Sequence, residues 1–547
     1  MPAIEPPMGT RALAVTAAGA AMLMILTGCG VIRDLQGTRE HPEPEPVSEE
    51  TEDPRAEAET DFPYTRQGPV FQDTGQDSTL RFSITNMERT DDYIVMHYES
   101  TYVDHFEGIN HNLGLSPTIV DPISGQTALP LYDSDDMAYG SVSPRDDGLY
   151  PVEVDATNAY RLYFPRMPDE VKQITFIGSG LGAMTGIPIV DVDEEEPDPT
   201  DPNGADMDER GPQPQAGDHI EFENRRPEAD WYEYNGGLES FVDSDTTSTT
   251  RDGDTETVAL KADVMFEFDD SDLTEEAEEI VREAATSVER NIDPDNLELT
   301  VVGHTDGRGS DSHNQSLSEE RAETVRDVLE EELGGDYTFE LEGRAAEEPV
   351  AEEGGSDDEE ARARNRRVEF SYPVDPAETD DQSSEREDGV LGSSDRNVFP
   401  PAEFVEDVST EVVATETYED IELQVHPLRR DGAYVISSVS LTNTSSDPLT
   451  PDLTGEDGVV PGAPDDFTDG TLGGFQLLEP DSDLVRYITY FDYGQDMVGA
   501  FADEVHELQP DNTYQLISVF SAPPSEVTEM TLRAGPFGEI ENVPFDG

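Results

Sequence analysis

The stretch GHTDGRGSDSHNQSLSEERA, residues 303–322, narrows the folds open to this chain more than any other. Just before it, Leu297, Leu299 and Val301 alternate with polar residues, the period of a strand with one buried face. Just after it, Ala322, Val325, Val328 and Leu329 recur at helical spacing, with Ser318 as a candidate cap for a helix beginning at Asn314 or Ser318. A strand therefore gives way to a helix across a polar, Gly-containing loop. The same alternation precedes it. ALKADVMFEFDDSDL offers a strand with Val264, Phe266 and Phe268 at alternate positions. Thr274 then caps a helix with acids in its first turn and Ala277, Ile280, Val281 and Ala284 as its apolar stripe. TFELEGRA and RRVEFSY supply two later strands. Residues 255–373 thus read as strand, helix, strand, helix, strand, short helix, strand: an α/β sandwich with helices on one face of a mixed sheet.

The flanks of this region differ in kind. The 547-residue chain has 125 acidic against 32 basic residues, a formal net charge of -93, and Lys172 and Lys261 are its only lysines. Such a surface repels phosphates and excludes a nucleic-acid partner. Its self-repulsion needs salt screening, which favours a high-salt (halophile) habitat, with a merely acidic secreted protein as the plainer alternative. Apolar residues still make up 34% and fall in patterned blocks, so ordered domains are expected between acidic linkers. The linkers are read at residues 29–61 (a Pro-rich tether), 191–254 and 374–400. Asp198, Asp201, Asn203, Asp206 and Asp208 form a loose calcium-like spacing, but they fit no calcium loop well and read as solvated linker.

Residues 62–190 and 401–547 are β-rich and look like copies of each other. LYDSDDMAYGS at Leu131 parallels YFDYGQDMVGA at Tyr490, and the Tyr160 and Tyr514 segments match in the same order. IVMHYESTYV at Ile94 likewise parallels YVISSVSLTN at Tyr434. Two related all-β immunoglobulin-like sandwich domains are expected, with Tyr160 and Tyr514 as core or edge aromatics.

At the N-terminus, Arg11 precedes an apolar run that ends in LTGC at Cys29, the only cysteine, so a disulfide within the chain is excluded. The run suits a signal peptide over residues 1–28, and Met8 is an alternative start. LTGC resembles the lipobox of bacterial lipoproteins, which implies lipidation at Cys29.

The central residues carry a longer resemblance. Gly303, His304, Thr305, Asp306, Gly309, Asn314, Leu317, Ser318, Arg321 and Ala322, with Asn365, Arg366, Arg367 and Val368 later, resemble the OmpA C-terminal-like family of peptidoglycan-binding domains. FEFDDSDL resembles the family's opening strand and turn. The resemblance implies a βαβαβ-type domain over residues 255–373 that holds the diamino acid of a peptidoglycan stem peptide, of diaminopimelate type. Such a ligand presents an ammonium and a carboxylate. Asp306 accepts from the first, and Arg321 clamps the second as a fork. By the same resemblance Thr305, Asn314 and Leu317 line the pocket and Arg367 lies near it, while Arg366 supports the fold or touches the polymer's edge. The sequence departs from the family at His313 and Ala361 and in the long acidic loop EEPVAEEGGSDDEE.

Plainer readings stand beside these. Asp306 and Arg321 can form a structural salt bridge, and His304 reads as a packed residue. His304, His313, Asp306 and Asp311 match no zinc or iron spacing, and no activated nucleophile is evident. No metal, no cofactor and no enzymatic activity are expected. The expected function is a cell-envelope lipoprotein that tethers a membrane (the outer membrane, or the outer face of the cytoplasmic membrane) to the cell wall. The alternative is an envelope receptor or adhesin whose β domains bind a protein or glycan partner.

Overall fold

The computed structural model describes the chain between Arg55 and Asp546, apart from residues 56–59, 71–77, 105–116, 136, 144–151, 179–180, 198–205, 209–210, 229–230, 253–254, 352, 355–357, 375–397, 408–410, 454–471, 473, 481, 483, 494–497, 504 and 506. The signal peptide, Cys29, most of the tether and of the third linker, and Asp198, Asp201 and Asn203 lie outside the described residues. Among the described residues no helix is long and apolar enough to cross a membrane. The fold is mostly β-sheet, and among the described residues its α-helices lie in the central region.

That region contains β1 (Thr255–Lys261), α1 (Ala262–Met265), α2 (Glu275–Asn291), β2 (Glu298–His304), α3 (Asp311–Leu333), β3 (Thr338–Ala345), α4 (Asp358–Asn365) and β4 (Arg367–Pro373). The sheet order is β3-β2-β4-β1. β2 and β3 are parallel, as a strand–helix–strand crossover requires, and the other pairings are antiparallel. Leu299, Val301, Val368 and Phe370 of the sheet share one core with Ala277, Val281, Ala284 and Val288 of α2 and Ala322, Val325 and Leu329 of α3. The apolar stripes read from the sequence are therefore the packed faces, and Thr274 caps α2 by accepting the Ala277 N–H at 3.0 Å.

Two local expectations differ. The alternation at Val264, Phe266 and Phe268 is not a strand. α1 buries Ala262 and Met265 instead, Val264 is exposed, and Asp269 turns the chain with φ 60°. α3 begins at Asp311, capped by Ser310, about one turn before Asn314 and two before Ser318. Ser318 is buried inside the helix, where its hydroxyl donates to Gln315 O and accepts the Ala345 N–H.

The central sheet does not stop at residue 255. Thr247–Asp252 pairs antiparallel with β1, and Asn235–Asp243 pairs with it in turn. The latter strand also reaches Gln126–Ala128 on one side and Val485–Tyr487 and Tyr490–Asp492 on the other. His219–Glu221 lies parallel to Thr157–Pro165, and Asp206–Asp208, with two of the calcium candidates, is half of a hairpin with Gly211–Gln213. Among the described residues of 191–254, several strands belong to the sheets where a linker was expected. The acid and proline count hid the pattern: Ile220, Phe222, Leu238, Phe241 and Val242 are buried, and the Thr-rich run is a good strand former.

The two β regions use equivalent pairings. Tyr93–Tyr102 pairs antiparallel with Thr157–Pro165, as Tyr434–Asn443 does with Thr513–Ser521. Gln173–Gly178 pairs with Gly182–Pro188, as Glu529–Ala534 does with Glu539–Pro544. In the first region Leu80, Phe82, Ile94 and Met96 of one sheet pack against Ile119, Ile174, Phe176 and Met184 of another, with Phe82 and Phe176 stacked at 5.3 Å. The regions also touch. Val120 and Ala183 of the first share a cluster with Tyr434, Ile436, Ile517 and Val519 of the second.

Beside that cluster Asp503 is buried, accepts the Ile517 N–H at 2.8 Å, and has its carboxyl pushed up to about 7 by burial. A carboxyl raised in the folded state contributes stability below its unfolded value of about 4 and loses it as pH climbs through the folded value. Asp503→Asn is therefore expected to stabilise the chain at pH 8, by on the order of a few kcal/mol, and to be near neutral at pH 4. Thermal melts at the two pH values check this; equal effects at both would contradict it.

Candidate functional site

The motif loop is held by its own backbone. Gly303, at the end of β2, lies so close to α3 that an added Cβ would sit 2.0 Å from Ser318 O. Gly309 has φ 105° and faces the Asn314 side chain, a conformation other residues rarely adopt. Asn314 is buried and donates to Arg308 O at 2.9 Å and to Asp306 O at 3.3 Å, closing the loop onto the first turn of α3. Thr305 is buried beside it and donates to Asp306 O. Leu317 is half-buried on the same helix.

Asp306 is buried and fully engaged. One oxygen accepts the Arg308 N–H at 3.0 Å, and the other accepts Arg366 Nη1 at 2.7 Å. Arg366 also forks onto Asp263 at 2.7 and 2.6 Å and reaches Glu359 at 3.3 Å. These partners, Asp263 first, raise its pKa above the usual arginine value. The salt bridge of Asp306 is thus to Arg366 and not to Arg321. A cation sixty positions down the chain cannot be paired by spacing, so the sequence expectation for Arg366, support of the fold or contact with the polymer's edge, did not include this pairing with the motif aspartate.

Arg321 is 5% exposed. Its Nε donates to Asp270 O at 3.0 Å, and its guanidinium lies 4.8 Å from the Phe266 ring centre. Among the described residues no carboxylate pairs with it, although Asp263, Asp269 and Asp270 act on it through space. Burial lowers its pKa. In a chain of net charge -93, a buried arginine with no ion pair among the described residues is the exception at this site.

Arg367 turns elsewhere. It binds Glu369 and the carbonyls of Asn365 and Glu348. His304, buried, has Nε2 3.4 Å from the other Glu369 oxygen. Burial raises the Glu369 carboxyl, but His304 and Arg367 more than offset this and bring it down to about 2. His304 therefore links β2 to β4 through Glu369, and Arg367 ties the start of β4 to the chain after β3 at Glu348. His313 is exposed and pairs with Asp269 at 2.7 Å, so the two histidines of the motif face different acids.

Glu353 and Phe268 were not read from the sequence as part of the site, and Asn365 entered only through the resemblance. Glu353, in the long acidic loop, accepts the Gly307 N–H at 2.9 Å and Asn365 Nδ2 at 3.0 Å. Asn365 also accepts the N–H groups of Val350 and Ala351, so it braces that loop against the site. Phe268, 99% exposed, stands one residue from Asp269 at the same rim. A cleft of about 450 Å³ lined by Gln315, Glu319, Leu341 and Arg344 shares none of these site residues.

The profile of the OmpA family matches residues 265–366, from the last residue of α1 to Arg366, the partner of Asp306, just after α4. Residues 265–366 form an OmpA-family domain. Outer membrane porin F of Pseudomonas aeruginosa is 38% identical to this chain over 115 residues, 21% of this chain and 31% of that protein. Outer membrane protein A of Bordetella avium is 35% identical over 113 residues, covering 21% and 55%. The chain thus spans about a third of the first relative and about half of the second. Among solved structures, the cell wall anchor of the T6SS from Pseudomonas aeruginosa aligns at 28% identity and TM-score 0.21, over 24% of this chain and 88% of that one. The peptidoglycan-associated lipoprotein from Burkholderia pseudomallei aligns at 28% identity and TM-score 0.17, over 20% and 86%. Every position of the OmpA-family domain discussed above from Met265 to Arg366 lies inside the matched span; Asp263 and Arg367 lie just outside it.

Proposed function

We propose that the OmpA-family domain binds peptidoglycan without making or breaking bonds, by holding the zwitterionic end of a stem-peptide diamino acid. The observation that carries this is Arg321: a buried fork with two free donor ends, in reach of acids that leave it unpaired. A ligand carboxylate satisfies it bidentately. The ligand ammonium goes to Asp306. Arg366 can yield there, because it keeps Asp263 and Glu359 as partners when it releases Asp306. Thr305, Asn314 and Leu317 keep the loop and helix start in place around both groups, and Arg367 serves at one remove through the sheet. The two β regions, as immunoglobulin-like sandwiches, would set the distance between wall and membrane, with the lipid on Cys29 as the other anchor.

In a pull-down on purified sacculi, Asp306→Asn is expected to retain less than a tenth of wild-type binding, since a paired charge at a ligand contact contributes about 2–5 kcal/mol. Wild-type retention by this variant would remove Asp306 from the site. Release of soluble muropeptides by the wild type would instead favour a hydrolase. Metabolic labelling with a lipid precursor is expected in the wild type and absent in Cys29→Ala; persistent label would refute the anchor.

A further inference from the structure

We propose that Glu88, His97 and Glu196, in the first β region, form a binding site for a divalent transition-metal ion. Ser78–Arg89 pairs antiparallel with Tyr93–Tyr102, and a bulge after Ile84 sets Asn86 opposite His97. Glu88, two residues on, lies on the same face and diagonal to His97. Glu196 arrives from the segment after Val190–Asp191, which lies parallel to Glu88 and Arg89. One donor atom from each of the three residues falls within 4.8 Å of the others.

The second observation is the imidazole itself. His97 is 7% exposed, and its Nε2 has no hydrogen-bond partner. That nitrogen is 3.4 Å from Glu88 Oε2, an oxygen that accepts the Glu196 N–H at 3.1 Å. A buried, unpaired nitrogen is costly, whereas 3.4 Å is the spacing of neighbouring donors in a tetrahedral shell with bonds of about 2.0–2.1 Å. Glu196 approaches the other ring nitrogen at 3.7 Å and is well exposed, so its carboxylate is free to swing toward the ion.

The surroundings fit. Asn86 Nδ2 holds the other Glu88 oxygen at 2.9 Å, the kind of outer contact that orients a metal-binding carboxylate. The nearby cations are already committed: Arg161 to Glu195 and the Glu196 carbonyl, and Arg226 to Glu195. Tyr93 and Tyr163 also bind Glu195, and Arg161 acts on Glu88 through space. One imidazole with two carboxylates suits Zn²⁺ or Mn²⁺ better than Ca²⁺ or Mg²⁺, which prefer all-oxygen shells. A bound ion would fasten the segment around Glu196 to the sheet.

The test is Zn²⁺ titration by calorimetry on the chelator-stripped full chain. It is run near 1 M NaCl, where a Debye length of about 3 Å suppresses diffuse binding to the acidic surface. One saturating equivalent is expected, weakened at least tenfold in both His97→Gln and Glu196→Gln. Co²⁺ at the same site should give visible absorption that is lost in His97→Gln. Absence of a saturating equivalent in the wild type would overturn the proposal and leave an imidazolium salt bridge. Undiminished binding in Glu196→Gln would also overturn it, and because Glu196 is exposed that variant keeps the fold even if His97→Gln does not.

Discussion

Arg321→Met is expected to weaken binding of a diaminopimelate-containing muropeptide about a hundredfold or more, while the melting temperature holds or rises. Loss of a buried, charge-assisted fork at a ligand contact costs about 2–5 kcal/mol. In the free protein the balance runs the other way. Arg321 is buried without a carboxylate partner among the described residues, so its removal orphans no anion, and what is lost is the bond to the Asp270 carbonyl and the guanidinium's contact with the Phe266 ring. Met is a flexible apolar chain that can pack on the Phe266 ring. Arg321→Lys keeps the charge but not the fork and should fall between the two. Binding and melts measured on the same samples separate the roles. A stable Arg321→Met variant that binds like wild type would end the carboxylate-clamp reading, and a sharp loss of stability would make Arg321 a fold residue.

Gly303→Ala is expected to destabilise the chain by on the order of 3 kcal/mol or more, the upper range for overpacking. Its Cβ would fall 2.0 Å from Ser318 O and 2.8 Å from Ser318 C, and these are backbone atoms with no rotamer to yield. α3 would have to move off β2. Arg321 lies one turn beyond Ser318 on the same helix, so binding should weaken together with stability. A melt matching the wild type would show that strand and helix are not packed this closely.

The parts of the domain legible in the sequence are those whose causes are local. The apolar stripes of α2 and α3 and the Thr274 cap depend on neighbours three or four residues away. The loop that brings Asp306 and Asn314 together is likewise a short-range object. What could not be read depends on distant pairing. Arg366 reaches Asp306 across sixty positions, and Glu353 reaches the Gly307 N–H across forty-six. Arg366 and Arg367 are adjacent in sequence, but Arg366 lies in the bend before β4 and Arg367 opens the strand, so one flanks the motif aspartate and the other braces Glu369. Val264 and Phe268 misled because a helical turn and an exposed rim can mimic alternation over five residues. Residues 191–254 misled because charge dominated the count, although strand formation there depends on a few well-spaced apolar side chains and a row of threonines.

The central claim is that Arg321 receives a ligand carboxylate. The most direct test is titration of the full chain with two muropeptides that differ only at the side-chain carboxyl of diaminopimelate, one free and one amidated, in molar salt. The account predicts at least tenfold weaker binding of the amidated form to the wild type, and no difference between the two forms for Arg321→Met. Equal affinity of the wild type for both would contradict it.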